Sequence, residues 1–227
     1  MQSERRNSQF EYNAPQVSED RNSELLSPFL GQTALSEKQL AAVQTYLELL
    51  LKWNAKINLT AIRKPEEIAT RHFGESFFAA TRIFPGQNSN ASLIDIGSGA
   101  GFPGLPMKIW APGIALTLVE SNQRKATFLR EAVRALEMPN VEIETARAEN
   151  MDLQADVVTL RAVEKFGGIL PVVKRLLKPE GRAALLIGAS QVELAKSAAT
   201  IDWQEPIPIP LSQSRVLLIG EASGRER

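Results

Sequence analysis

The segment SLIDIGSGAGFPGLP, residues 92–106, constrains this chain more than any other stretch. A short apolar run carries an acid, Asp95, and Gly97, Gly99, Gly101 and Gly104 follow it. Glycine enters left-handed backbone without strain, so the series marks a tight turn between a strand and a helix. Turns of this kind let the backbone approach a nucleotide-like ligand closely. From residue 92 onward, short apolar runs alternate with helix-length amphipathic segments. The strand candidates are Ser92–Ile96 and residues 114–120, 141–145, 157–160, 183–187 and 216–219; residues 123–136 and 168–177 are helix candidates. Alternation like this predicts a Rossmann-like α/β fold, a mostly parallel sheet with helices on both faces. Its ligand belongs beyond the carboxyl ends of the strands, near the switch in strand order.

The chain before residue 91 reads differently. Residues 1–22 are polar, show no apolar period, and are expected to form a disordered tail. Ser36-Glu37-Lys38-Gln39 is a capping box. After it Leu40, Val43, Leu47, Leu50, Leu51 and Asn54 recur at helical spacing. Pro65 followed by Glu66 and Glu67 marks another helix start. The expected organisation is a helical subdomain over 23–90, an α/β domain over 91–222 and a polar tail over 223–227.

Composition narrows the class. Cysteine is absent, so disulfides and thiolate metal sites are excluded. No run of about 18 apolar residues is present, and the first residues lack the apolar core of a signal peptide. The expectation is a cytoplasmic protein without membrane or metal partner, a monomer in preference to an oligomer. Lys plus Arg and Asp plus Glu balance at 26 each, so any polyanion must be met by a local basic patch.

Gly99-x-Gly101-x-x-Gly104 matches the dinucleotide pattern, with an acid at Glu120 near the expected distance. Two details weigh against a dinucleotide. The glycine series starts one step earlier, at Gly97, and Asp95 would face an incoming pyrophosphate with like charge. S-Adenosylmethionine suits the acid better, because it carries a sulfonium and an ammonium and no phosphate. Glu120 could accept from both of its ribose hydroxyls. Arg147-Ala148-Glu149, after the third strand, is either the adenine edge or an ordinary charged loop.

Together these residues resemble the small-subunit ribosomal RNA guanine-N7 methyltransferase family, known as RsmG or GidB. The matching segments are Trp53-Asn54, Asn58-Leu59-Thr60-Ala61-Ile62, Arg71-His72-Phe73 with Ser76, and Asp95 to Gly104. Glu120-Ser121, Arg124-Lys125, Phe128-Leu129-Arg130, Arg147-Ala148-Glu149 and Arg161-Ala162-Val163 complete the set. The resemblance implies a class I S-adenosylmethionine-dependent methyltransferase with an N-terminal helical extension. It implies a guanine N7 in the decoding region of 16S ribosomal RNA as target, on naked RNA or on the small ribosomal subunit. By position it implies a cofactor site of Gly97, Phe102, Ala148, Glu149 and Arg161, with Asp95, Gly99, Gly101 and Glu120 beside them. Three positions depart from the family. Glu75 stands where an Asp is usual, and Ile187 and Gly220 stand where lysines are common; both lysine positions are expected near the ligand edge.

Guanine N7 has a lone pair and no proton to lose, so its methylation needs no general base. That agrees with a chain holding one histidine and no cysteine. No certain catalytic residue is assigned; Arg161 and His72 are target-positioning candidates, each with a packing or ion-pair role as the alternative. Arg63-Lys64, Arg71, Arg124-Lys125, Arg130, Arg134 and Arg147 are candidates for RNA contact as a group. Two other functions fit less well: a methyltransferase acting on a small molecule or protein, and a non-catalytic rRNA-binding assembly factor.

Overall fold

Ser18 opens the first helix in the computed structural model, which describes residues 18–162, 166–198 and 201–222. Its hydroxyl accepts from the Arg21 amide at 3.3 Å and starts α1, Glu19–Leu30. The expected tail therefore ends earlier than residue 22. Asn22 is fully buried and donates through its side-chain amide to Gln44 Oε1 at 2.8 Å. A buried polar residue leaves no apolar period to read, which is why this turn of helix was missed. The remainder of that expected tail, 1–17, lies outside the described residues, as do Val163 and the expected C-terminal tail.

The capping box forms as the sequence suggests, with Ser36 and Gln39 bonded reciprocally at the start of α2, Glu37–Asn54. Pro65 begins α3, Pro65–Ile68. A π-helical turn, Ala69–Gly74, follows and leads directly into α4, Glu75–Ile83. Such π-turns are often found at functional sites, and this one carries Arg71 and His72.

The α/β part runs β1 Ser92–Ile96, α5 Gly104–Trp110, β2 Ala115–Val119, α6 Gln123–Ala135, β3 Val141–Glu144, β4 Ala155–Arg161 and α7 Phe166–Arg175. It continues with β5 Leu177–Gly188, α8 Val192–Ala198, β6 Ile201–Trp203, β7 Ile207–Pro208 and β8 Arg215–Ala222. The sheet order is β3-β2-β1-β4-β5-β8-β6, with β7 also paired to β8. From β3 to β5 all pairs are parallel; β8 runs antiparallel to β5, and β6 and β7 antiparallel to β8. The short β6 and β7 had no alternating pattern long enough to read.

Residues of one strand alternate between two cores. Leu93, Leu116, Leu118, Ala184 and Leu186 face α2, α4, α5 and α6 through Tyr46, Phe77, Trp110 and Phe128. Ile94, Ile96, Val158, Leu160 and Leu185 face α7 and α8 through Leu170, Val173 and Ala195. The N-terminal helices thus share one core with the sheet and are not a separately packed unit. This sharing sets His72 against the glycine turn.

Candidate active site

The order reverses between β1 and β4, and Ile96 pairs with Leu160 there. The residues that follow, Gly97 and Arg161, open side by side at the switch point, where ligands of open α/β sheets bind.

The turn after β1 is bound from three sides. Asp95 Oδ2 accepts from the Gly104 amide at 3.1 Å. Glu120 Oε2 accepts from the Gly99 amide at 2.9 Å, and its other oxygen from the Asn122 amide at 2.7 Å. The Tyr46 hydroxyl of α2 donates to the Ala100 carbonyl. Gly99 and Gly101 have φ of 57° and 86°, a region where side chains are strained. The two differ in surroundings. A Cβ at Gly99 would meet only the Gly97 carbonyl, at 3.7 Å, so it would project into open space. A Cβ at Gly101 would overlap the Tyr46 hydroxyl and lie 2.6 Å from Leu105 Cδ1. Gly99 thus faces open space, whereas Gly101 is packed against α2 and α5.

Asp95 departs from expectation. Its carboxyl is wholly buried and does not reach the surface of the turn. Burial pushes its pKa up to about 7 against the opposing pull of the Gly104 amide. Oδ1 has no hydrogen-bond partner among the described residues. Its contact is with the turn's own backbone, and any effect on a ligand passes through its field. Glu120 is the acid nearer the surface, about 7% exposed.

Phe102 is buried in an aromatic stack. Its ring lies 5.2 Å from Tyr46 and 4.8 Å from His72, both near-parallel, and edge-on to Phe73 at 5.1 Å. The stack joins the turn to α2 and to the π-turn.

His72 is held at both ring nitrogens. Arg161 Nη1 lies 2.8 Å from Nδ1, and Thr60 Oγ1 lies 2.7 Å from Nε2. A guanidinium only donates, so Nδ1 accepts and the ring proton sits on Nε2, where it donates to Thr60. Burial, then Arg161, Arg71 and Arg215, push the His72 pKa down to about 3. The ring is neutral at physiological pH with no free lone pair, which leaves it no capacity as a general base.

Arg161 also donates to the Arg71 carbonyl at 2.7 Å and pairs with Glu75 at 3.4 Å. Glu75, about 2% exposed in its side chain, takes Arg215 through Nε at 2.9 and 3.0 Å and a further contact from Nη2. Arg71 lies 3.8 Å from the same carboxylate. Three guanidiniums therefore converge on one buried carboxylate at the mouth of the sheet. Sequence reasoning missed Arg215: it lies far along the chain in β8, yet β8 starts at the ligand edge, paired with Gly188.

Ala148 and Glu149 form a 3-10 turn after β3, Ala148 buried and Glu149 exposed. Arg175, at the end of α7, clamps this turn by donating to the carbonyls of Ala148 and Glu149, both at 3.1 Å, and of Met151. Nothing in its local sequence distinguishes Arg175 from a helix-terminal cation.

The two missing lysines fall in different places. Ile187 is buried in the core under α7 and α8, next to the ligand edge. Gly220 pairs with Ala183 at the opposite end of β5, and a Cβ there would lie 2.5 Å from Trp203. The expectation that both lie near the ligand edge is thus corrected for Gly220.

Solved structures share this fold. A SAM-dependent methyltransferase from Aquifex aeolicus matches 73% of this chain and 97% of its own, with a TM-score of 0.58 at 15% identity. A ribosomal protein L11 methylase from Lactobacillus delbrueckii subsp. bulgaricus matches 66% and 79%, with a TM-score of 0.57 at 11% identity. Closer in sequence is the ribosomal RNA small subunit methyltransferase G of Stenotrophomonas maltophilia (strain K279a). It is 42% identical over 170 residues, 74% of this chain and 77% of that protein. The protein of the same name from Chloroflexus aggregans is 40% identical over 199 residues, 82% of each chain. Residues 39–209 match the model of rRNA small subunit methyltransferase G, and the chain belongs to that family, GidB.

Proposed function

We propose that this chain transfers the methyl group of S-adenosylmethionine to N7 of a guanine in the decoding region of small-subunit ribosomal RNA. The observation that carries this reading is the turn after β1. Gly99 faces open space, its amide is tied to Glu120, and Arg161 stands beside Gly97 across the switch point. That donor set fits the cofactor. Glu120 keeps lone pairs for ribose hydroxyls on oxygens that each already take one amide. The Ala148–Glu149 turn, fixed by Arg175, offers the adenine edge. When bound, the cofactor supplies a methyl on a sulfonium, open to in-line attack by a lone pair.

The residues of the chain then have to position and do not have to move a proton. Guanine N7 attacks with an in-plane lone pair, the carbon–sulfur electrons leave with sulfur, and no proton is lost. His72, neutral and occupied at both nitrogens, is consistent with that chemistry. Orientation alone can supply a large part of the barrier lowering. N7 lies on the major-groove edge of the base, and A-form RNA hides that edge in a deep narrow groove. The target guanine is therefore unstacked or in a loop when it reaches Arg161.

Labelled S-adenosylmethionine and small ribosomal subunits from a strain lacking this activity test the reading. Nucleosides from the treated RNA are expected to carry label only in 7-methylguanosine. Label in another nucleoside, or in protein, would overturn it.

A further inference from the structure

A cleft of about 360 Å³ opens between the segment after α2 and the start of α6. Its charged lining is Lys56, Arg63, Arg124 and Lys125, with Asn58 and Asn122 between them and no carboxylate. The whole chain is electrically balanced, so four cations around one cleft are a local concentration. Arg63 is fixed in place, donating to the Asn54 carbonyl at 2.5 Å and to Asn58 Oδ1 at 2.7 Å. Among the described residues, Lys56, Arg124 and Lys125 have no ion-pair partner. The amides of Arg124 and Lys125 are already taken by Asn122 Oδ1 at 3.0 and 3.2 Å. An occupant is therefore held by side chains and not by the helix end.

Both walls of the cleft are bonded to the active site. On one side the Asn122 amide donates to Glu120. On the other, Asn54 Oδ1 accepts the amides of Leu59 and Thr60 at 3.0 Å, and Thr60 bonds His72. Two of the other sequence candidates are engaged elsewhere. Lys64 lies 3.5 Å from Glu67, and Arg130 donates to Thr145 at 2.7 Å.

We propose that this cleft is a docking site for the phosphodiester backbone of the RNA strand that carries the target base. The proposal rests on the RNA reading above. Unpaired cations interleaved with amide side chains suit repeated phosphates. The lining holds no aromatic ring for base stacking, so contact there is sequence-independent and sets register.

The test is the double charge reversal Arg124→Glu/Lys125→Glu in the full-length protein, assayed on naked 16S ribosomal RNA transcript and on small subunits. Expected is at least a tenfold rise in KM for the transcript, with kcat at saturating RNA and cofactor affinity unchanged. The logarithmic salt slope of transcript binding should fall by about 1.4–1.8, since each of the two lost phosphate contacts removes about 0.7–0.9. Unchanged KM and slope in a variant that still binds cofactor would overturn the proposal. So would a rise in KM on subunits alone, which would mark a ribosomal protein as the occupant. A wild-type protein that binds transcript with the full salt slope but methylates neither substrate would sink the function reading and leave this site standing.

Discussion

Arg161 donates to Nδ1 of His72 across 89 positions of sequence, at 2.8 Å, and so sets the tautomer of the chain's one histidine. Through this bond the end of β4, the π-turn and the aromatic stack on Phe102 become one assembly at the mouth of the sheet.

Replacing Arg161 separates its two roles. Arg161→Ala removes charge-assisted hydrogen bonds worth about 1.5–3 kcal/mol each. If they serve the transition state, single-turnover methyl transfer falls roughly ten- to a hundredfold. Arg161→Lys should restore little, because lysine lacks the planar fork that spans His72 and the Arg71 carbonyl. Melting curves on the same preparations show how much is structural. Near-normal transfer by a folded Ala variant would make Arg161 a partner of Glu75 and nothing more.

Much of this site was legible in the sequence, for physical reasons that stop at identifiable residues. The glycine turn and the capping box at Ser36 are local devices, and both form as read; Glu120 follows β2 and accepts the Gly99 amide of that turn. β1 matches residue for residue because a buried parallel strand is a short apolar run between breakers. Arg175 and Arg215 were invisible because their partners are distant in sequence: the Ala148 carbonyl and Glu75. Asp95 stands at the turn where its spacing places it, but buried beneath the backbone. Spacing places a side chain near a ligand without showing whether backbone intervenes, and here the Gly104 amide takes its oxygen. The extent of the N-terminal packing was also hidden, because Asn22 is buried through a single hydrogen bond to Gln44.

Stability should depend on pH through two buried groups of opposite sign. His72 has a folded pKa of about 3 against about 6.5 when unfolded. Its unfolded form binds the extra proton between those values, so stability is lost as pH falls through that window. Asp95 has a folded pKa of about 7 against about 3.9 when unfolded. Its folded form holds the extra proton, so stability is lost as pH rises from about 4 to about 7. Between pH 4.5 and 6.5 the two oppose each other. Relative to wild type, the melting temperature of His72→Gln should slope downward with rising pH, and that of Asp95→Asn upward. Profiles parallel to wild type would show that neither group is perturbed.

Gly99 and Gly101, both in left-handed backbone, should fail differently. Gly99→Val places its side chain where the ligand approaches, so cofactor binding is lost while the fold persists under strain. Wild type with S-adenosylmethionine at about 100 times its dissociation constant gains roughly 2.7 kcal/mol, and the variant gains nothing. Gly101→Ala instead drives a methyl group into Tyr46 and Leu105. It should lower stability by at least 1–3 kcal/mol, the usual scale of overpacking. Thermal melts with and without S-adenosylmethionine, and with NAD as a control ligand, read both. Stabilisation by NAD alone, or full stabilisation of Gly99→Val, would contradict the cofactor assignment.

The most direct measurement is the position of the methyl group. A 7-methylguanine opens to strand scission under borohydride and aniline, so primer extension across the treated RNA reads the modified base. On small subunits lacking the modification, incubation with this protein and S-adenosylmethionine should produce one new stop, at a guanine in the decoding region. That stop should be absent without protein and absent with Gly99→Val. Methylation without such a stop, or stops scattered over accessible guanines, would contradict the account.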